Sequence, residues 1–415
     1  MARALLINPT AFEAGLLAAA KARATSPPRL AALEAFAKTG LPHRRLEAWK
    51  WTDLRAALRE GFPPPEPAND VIAPSIFGGL GAYEITVMNG AAEWTGAPPV
   101  GVAISRGAPG EPAPGAPAPE DAGDHPLANL VSAMADERIE ITIDEGALIK
   151  HPILIRRIAG AGAFHQRARL RIGAGAKIVI IESFDGLGRY FSNSLTEIDL
   201  GARASLSRLV LQDGSGEGVE ASLAAVRLGP EAEFHQTALL LGAKAARIET
   251  RLAYDGAKAR ATLMSAATLA GARHADFTSH VAHRAEGCLT RQLHKTVLKA
   301  RARGVFQGKF LVARGAQETD ARMRANALLL SESAEAHHKP ELEIYADHVE
   351  CAHGSTIGAL DENALFYLRS RGLDDEAARA LLNEAFLGEV LDDMPHPAIA
   401  HIFRQRIAHW LECGR

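Results

Sequence analysis

Cysteine is nearly missing from this chain: Cys288, Cys351 and Cys413 are the only three in 415 residues, and no two stand as a C-x-x-C pair. Three isolated thiols argue against a disulfide framework and a cysteine-built structural zinc site, and they suit a reducing cytoplasm. Long apolar runs are missing too. None approaches the ~20 residues that span a bilayer, so no membrane helix is expected. The opening stretch MARALLINPTAFEAGLLAAAKAR breaks its apolar residues with charge too often for a secretory leader and reads as an amphipathic helix. Nor does one sign of charge dominate. The net charge is -3 with lysines and arginines scattered, which gives neither nucleic acid nor an anionic membrane a reason to bind. The strings GxxxxGK(S/T), HExxH and GxSxG do not occur, which removes P-loop nucleotide binding and common zinc-protease and serine-hydrolase arrangements. The expectation is a soluble cytoplasmic protein, and a search for catalytic chemistry returns little.

A chain of this length allows about two or three domains, and its composition changes along the way. Residues 1–60 read as helical, with breaks at Ser26-Pro27-Pro28 and at Thr39-Gly40-Leu41-Pro42 before HRRLEAWKWTDLRAALRE. Residues 61–137 read as a linker region: GFPPPEP (61–67) is a stiff proline spacer, and APPVGVAISRGAPGEPAPGAPAPE (97–120) a Pro/Gly-rich mobile loop of no evident chemistry. A short helix is expected over 125–137.

From about 138 to 355 the pattern becomes short runs of β-formers between Gly-Ala turns. EGALI, GAGAK, GARAS, GPEAE and GAKAR place a glycine at 146, 173, 201, 229 and 256, at intervals of 27, 28, 28 and 27. A fixed period of that size signals stacked repeats, each too small to bury an apolar face alone. The runs, such as KIVIIESF and SLSRLVLQD, are β-rich with period two and not 3.6, which disfavours helical solenoids. A mainly β fold, a right-handed parallel β-helix, fits best, with a sandwich or propeller as the competing reading.

Beyond 355 the chain turns helical again, giving a C-terminal helical domain over 356–415. Asp361 is an N-cap for ENALFYLRSR, closed by Gly372, and Asp374 caps DEAARALLNEAFLGEVLDDM. In that second helix Leu381, Leu382, Ala385, Phe386 and Val390 are read as one apolar stripe. Pro395 and Pro397 stop it, and AIAHIFRQRIAHWLE makes a third helix.

The segment KPELEIYADHVECAHGSTIGALDENALFYLRSRGL (339–373), the preceding GKFLVARGAQETDARMRANALLLSESAEAHH, and RRLEAWKWTDL (44–54) resemble the SufB/SufD family of iron–sulfur cluster assembly scaffold proteins. The resemblance runs over nearly the whole chain, strongest from 304 to 391 and vague from 60 to 135. Cys351-Ala352-His353-Gly354 is similar to the SufD branch, where the SufB branch has a His-Glu sequence. The resemblance implies a parallel β-helix between helical N- and C-terminal parts and no catalysis by this subunit. It also implies one SufB-like paralogue and two copies of a SufC-like ABC ATPase as partners. The helices of 361–394 would dock the ATPase, with Leu365, Phe366, Leu381, Leu382 and Phe386 as candidate contact or packing residues. No cofactor is expected to be tightly bound; a transient cluster or iron would be shared with the SufB-like partner at His353, with Cys351 nearby.

Each candidate has a blander reading. On a strand, residues two apart share a face, so Cys351 and His353 could be a small core hydrophobe and a hydrogen-bonded interior histidine beside Val349. A neutral imidazole is nonetheless a competent iron ligand. Three scattered cysteines cannot supply a four-thiolate cage alone, which favours a site shared with the partner. His274, His280, His283 and His294 could hold a metal if stacking gathered them, but as strand residues they need no special role. His337 and His338 read as solvated residues of a charged turn, Cys288 and Cys413 as core and surface. Asp199, Asp213 and Glu249 keep a carbohydrate-active β-helix enzyme open as an alternative, since such chemistry needs two clustered carboxylates. A purely structural solenoid is the other. An unpaired sheet edge would also allow a homodimer in isolation.

Overall fold

The structure, a computed structural model, describes residues 9–62, 74–107, 125–214 and 216–413. Its centre is a β-solenoid of about eight turns. From β4 (Arg138–Ile143) and β5 (Ile153–Ala159) onward the chain lays one strand in each of two sheets per coil, even-numbered strands in one and odd-numbered in the other. The last coil is β18 (Glu335–Ile344) and β19 (Glu350–Gly358). Register is kept from coil to coil, as when Val219 of β10 (Val219–Leu228) lies between Phe191 below and Ala245 above. The parallel β-helix is therefore the fold, and the sandwich and propeller fall away.

Two kinds of stacking hold the turns. Gly173, Gly201 and Gly229 sit one above another at one corner: a Cβ on Gly201 would stand 2.8 Å from the backbone nitrogen of Ala174, and one on Gly229 would stand 2.9 Å from the carbonyl of Leu200. Coils can approach this closely only without a side chain. Gly146 does not belong to that column. It stands under Gly175, the first of a second column in which Gly146, Gly175, Arg203, Glu231, Lys258, Gly287 and Glu318 all have φ of 57–71°. Each donates its N–H to the coil above, Gly175 to the Ala202 carbonyl and Arg203 to that of Pro230, through to Glu318 and His348. Counting glycines alone therefore mixed two corner positions.

Strands in the middle of the solenoid are buried on both faces, with apolar residues lining the inside and paired charged residues, such as Arg167 with Glu197 and Arg247 with Glu249, also buried. Inside, aliphatic and aromatic residues from Ile85 to Met323 form one core. Outside, the even sheet is covered by α1 (Ala11–Arg23), α2 (Pro27–Thr39) and α4 (Pro126–Met134), whose Leu16, Phe36 and Leu130 pack on Phe191, Val219 and Ala221. The odd sheet is covered by α7 (Pro397–Cys413), whose Ile399, Phe403, Ile407 and Trp410 pack on Leu154, Ile181, Leu209 and Leu239.

Three expectations need correction. The stretch 43–60 is not one helix but a 3-10 turn, Glu47–Trp49, and a single helical turn α3 (Leu54–Ala57). It binds outward: Trp49 lies 3.9 Å from the Arg247 guanidinium, Thr52 donates to Asp276, and the Ala48 carbonyl accepts from Arg247 and Gln307. The region 61–137 is not only linker. β1 (Tyr83–Met88) pairs in parallel with β5, β2 (Ala91–Trp94) pairs antiparallel with β1, and β3 (Val102–Gly107) pairs antiparallel with β4, so the sheets begin well before 138. β3 falls in the expected 97–120 loop because Val102 and Ile104 supply a short apolar alternation that the flanking prolines obscured. Residues 1–8, the 63–67 part of the proline spacer and 108–120 of the loop lie outside the described residues. Finally, α6 (Asp375–Gly388) does not bury the expected stripe: Leu382 and Phe386 are half-buried and Val390, just beyond it, buried, but Leu381 and Ala385 face outward, while Ala378, Asn383 and Leu387 are buried. The Asp361 and Asp374 caps are as expected, and α5 (Glu362–Ser370) ends before Gly372 with φ 98°.

Candidate functional site

Every coil of the solenoid but the last is covered by another. Among the described residues β18 pairs only with β16 (Arg303–Val312) and β19 only with β17 (Asp320–Leu329), so both sheets end in a strand with one edge that no described strand covers. Register shows which residues turn inward here. His338 stands over Phe306 and Leu342 over Phe310, both core residues, while Cys351, His353 and Ser355 stand over Ala321, Met323 and Ala325. In any earlier coil these positions are buried; here His353 and Ser355 are exposed and Cys351, His338 and Leu342 half-buried. Ile344, Tyr345 and Ile357 add apolar surface at 40%, 62% and 48% exposure.

The polar groups of this end form a small network. His338 Nδ1 and Ser355 Oγ lie 2.8 Å apart, joining the two sheets. The His338 ring is edge-on to His294 and Phe306, and burial, helped by His337, pulls its pKa down to about 4. His337 and His338 are thus strand residues and not a solvated turn; His337 stacks on Trp51 at 5.6 Å. Burial pushes the Cys351 thiol up, and the side chain packs beside Val349 and the core. At neutral pH it is therefore a thiol and not a ready-made thiolate ligand. His353 is the more available donor, and with Ala352 and Gly354 it borders an open groove of about 590 Å³. Arg322, Arg324 and Glu389 also line that groove, Arg324 holding Glu389 at 2.8 Å.

The candidate docking residues separate. Leu365 is buried and can only be packing; Phe386 is half-buried with Lys295 Nζ 4.2 Å above its ring. Phe366 at 75% and Leu381 at 45% face outward, as does Tyr367 at 62%, which the sequence did not single out. Leu382 is half-buried.

The other candidates do not assemble. His274 bonds Thr52 at 2.9 Å, His283 stacks on Tyr254, and His294 lies between Ser265 and Thr296. No group of three or more potential metal ligands occurs among the described residues. Asp199 is held by Arg169 at 2.8 Å, Asp213 by Arg406, and Glu249 by Arg247, Arg251 and His125, so each carboxylate already has a cation. Cys288 is buried, as expected, bonding the Gly256 carbonyl. No described helix is long and apolar enough to cross a membrane. What the sequence hid was His338 with Ser355. The signal existed in the phase of the strand: the inward positions of β16 carry over to β18 once the coil length is known.

Residues 155–386 match the SUF system FeS cluster assembly SufBD core domain. An iron–sulfur cluster assembly SufBD family protein of Synechocystis is 32% identical over 300 residues, covering 69% of this chain and 66% of that protein. The iron–sulfur cluster assembly protein SufD of Escherichia coli is 28% identical over 399 residues, covering 92% of both chains.

Proposed function

The chain belongs to the SufBD family of iron–sulfur cluster assembly proteins and is SufD-like, and from that premise we propose that it is a non-catalytic scaffold subunit whose open last coil receives a SufB-like paralogue. The observation that carries this reading is the pair of unpaired strand edges in β18 and β19, with histidines, a cysteine and a serine where core residues belong. A second β-solenoid meeting that end would continue both sheets and bury Ile344, Tyr345 and Ile357. The nascent cluster, or its iron, is the cargo of that interface. His353 is its ligand from this chain, the partner supplies thiolate, and Cys351 packs beneath. A SufC-like ABC ATPase docks on the outward residues Phe366, Tyr367 and Leu381 of α5 and α6. A homodimer through the same end forms when the paralogue is absent. The setting is cytoplasmic.

The test is His353→Ala in the reconstituted complex. Complex formation and folding should be unchanged while cluster build-up is lost, and Cys351→Ala should be milder. Normal cluster assembly by the His353→Ala complex overturns the site. For the ATPase, deleting 361–415 is a poor probe, because removing α7 strips the cover from Leu154, Ile181 and Leu209. Phe366→Glu with Leu381→Glu leaves that cover in place. ATPase affinity unchanged in the double variant would remove these residues from the docking surface.

A further inference from the structure

Far from the last coil, where the end of α7 meets a corner of the solenoid, lies a cavity of about 320 Å³. Its floor is made of corner glycines, Gly186, Gly214 and Gly242 among them, and its walls of Arg273, Arg406 and Trp410. Three N–H donors here are shielded and have no partner: Arg273 Nε, Arg406 Nε and Trp410 Nε1. Trp410 is only 6% exposed, so its indole N–H is held away from bulk solvent, and it has no acceptor among the described residues. A buried donor left unmade is costly, and three in one cavity mark a site built for an acceptor from outside the chain.

The charge balance agrees. Asp213 is the one carboxylate among the described residues lining the cavity, and it is already engaged by Arg406 through Nη2, leaving the Nε of that guanidinium unpartnered. Arg273 enters none of the ion pairs found among the described residues, and its Nη2 lies only 3.7 Å from where a Cβ on Gly216 would be. Arg273 and Arg406 face the cavity beside Asp213, with His409 also in its lining, and the three orphaned groups of its lining residues are all donors. Planar guanidinium forks suit phosphate oxygens.

We propose that this cavity binds a phosphate-class oxyanion, held by Arg273, Arg406 and the Trp410 indole between α7 and the solenoid corner. The oxyanion is either free phosphate or the phosphate of a mononucleotide, and both fit the same donors. Bound there, it ties α7 to the solenoid, so the helical domain that carries the outward residues of α5 and α6 is fixed more firmly to the core.

The experiment is titration calorimetry on the full chain with inorganic phosphate and, separately, adenosine monophosphate, in chloride buffer at constant ionic strength. Saturable one-site binding of either probe is expected, with the tighter one identifying the source. Trp410→Phe keeps an aromatic ring but removes the N–H together with the pyrrole half of the indole; Arg273→Gln removes a charge that no described carboxylate pairs. Each should weaken binding about tenfold or more, as loss of a hydrogen bond to a charged group does. Without ligand, circular dichroism of both variants and melting of Arg273→Gln should match the parent, while Trp410→Phe melts somewhat lower because the indole packs on the odd sheet. Absence of saturable binding for both probes, or parental affinity in folded Arg273→Gln protein, overturns the site.

Discussion

β10 and β18 lie in the same sheet, four coils apart, and share the same inward phase, yet all but one residue of β10 is buried and none of β18 is. β10 has a coil on either side and helices over its outer face. β18 has a neighbour on one side only. Burial in a solenoid is thus set by position in the stack more than by residue type: a serine at 194 or 222 is buried, while Ile357 is half exposed. The middle is finished by the chain itself; at the end, no described strand covers the last coil.

The largest effect expected from that contrast is in the middle. Glu182 is fully buried between Arg157 and Arg208, and Arg208 also reaches Gln236. Glu182→Ala leaves two buried guanidiniums without their counter-ion and should cost about 3–5 kcal/mol in urea unfolding at pH 7. Burial alone would push the Glu182 pKa up, but the two arginines outweigh it and hold it at about 2, below the ordinary 4.5. A depressed carboxylate gives stability that is present above pH 4.5 and lost as pH falls toward 2, roughly 3 kcal/mol in all. The parent should lose that increment on acidification and Glu182→Ala should not. Equal acid sensitivity in both would mean that this network does not stabilise the middle coils.

A second buried carboxyl runs the other way. Burial lifts Glu220 to about 8 despite its bond from Tyr190. Its folded value lies above its unfolded one, so stability is full below pH 4.5 and falls as pH rises toward 8. Glu220→Gln keeps the shape without the titration. The variant should match the parent at pH 5 and exceed it at pH 9 by about 2–4 kcal/mol in the same unfolding assay. No gain at pH 9 would show the corner to be wet and not sealed.

How far the sequence disclosed this follows from the same contrast. The repeat was legible because stacking demands equal coil lengths, and the column of Gly173, Gly201 and Gly229 was read correctly from spacing. The outer helices were legible at their ends, since Asp361 and Asp374 cap locally. What stayed hidden depends on contacts distant in sequence: Trp49 on Arg247, the joining of β1 to β5 across the proline-rich stretch, and which face of α6 the solenoid covers. His353 was found through family resemblance, whereas its exposure follows from the absence of a next coil, which no local pattern records.

The corner columns give an intermediate effect. A Cβ on Gly201 meets the backbone of the coil below, and backbone cannot step aside, so Gly201→Ala should cost about 1–3 kcal/mol. Gly175 has no such neighbour nearer than 4.0 Å, only a left-handed φ of 69°, so Gly175→Ala should cost about 1 kcal/mol. Glu231, at the equivalent position with φ 57°, should gain up to ~1 kcal/mol as Glu231→Gly. Melting of the three variants checks the order; a larger loss for Gly175→Ala than for Gly201→Ala would reverse the roles of the two columns.

The smallest change in stability belongs to the last coil, and there its smallness is the point. Ile357 stands at the end of β19, inward in phase with Ala327 but with no coil above it. Replacing it removes little that the isolated chain has buried, so Ile357→Lys should shift unfolding by no more than about 0.5 kcal/mol, as for other surface positions. The same substitution places a charge in the apolar part of the open end, where a docking solenoid would have to desolvate it. Self-association of the purified chain, followed by sedimentation over a range of concentrations, should therefore weaken at least tenfold with folding intact. If Ile357→Lys instead costs as much stability as a middle-coil substitution, the last coil is already covered from within the chain, and the difference between β10 and β18 is one of side chains and not of position.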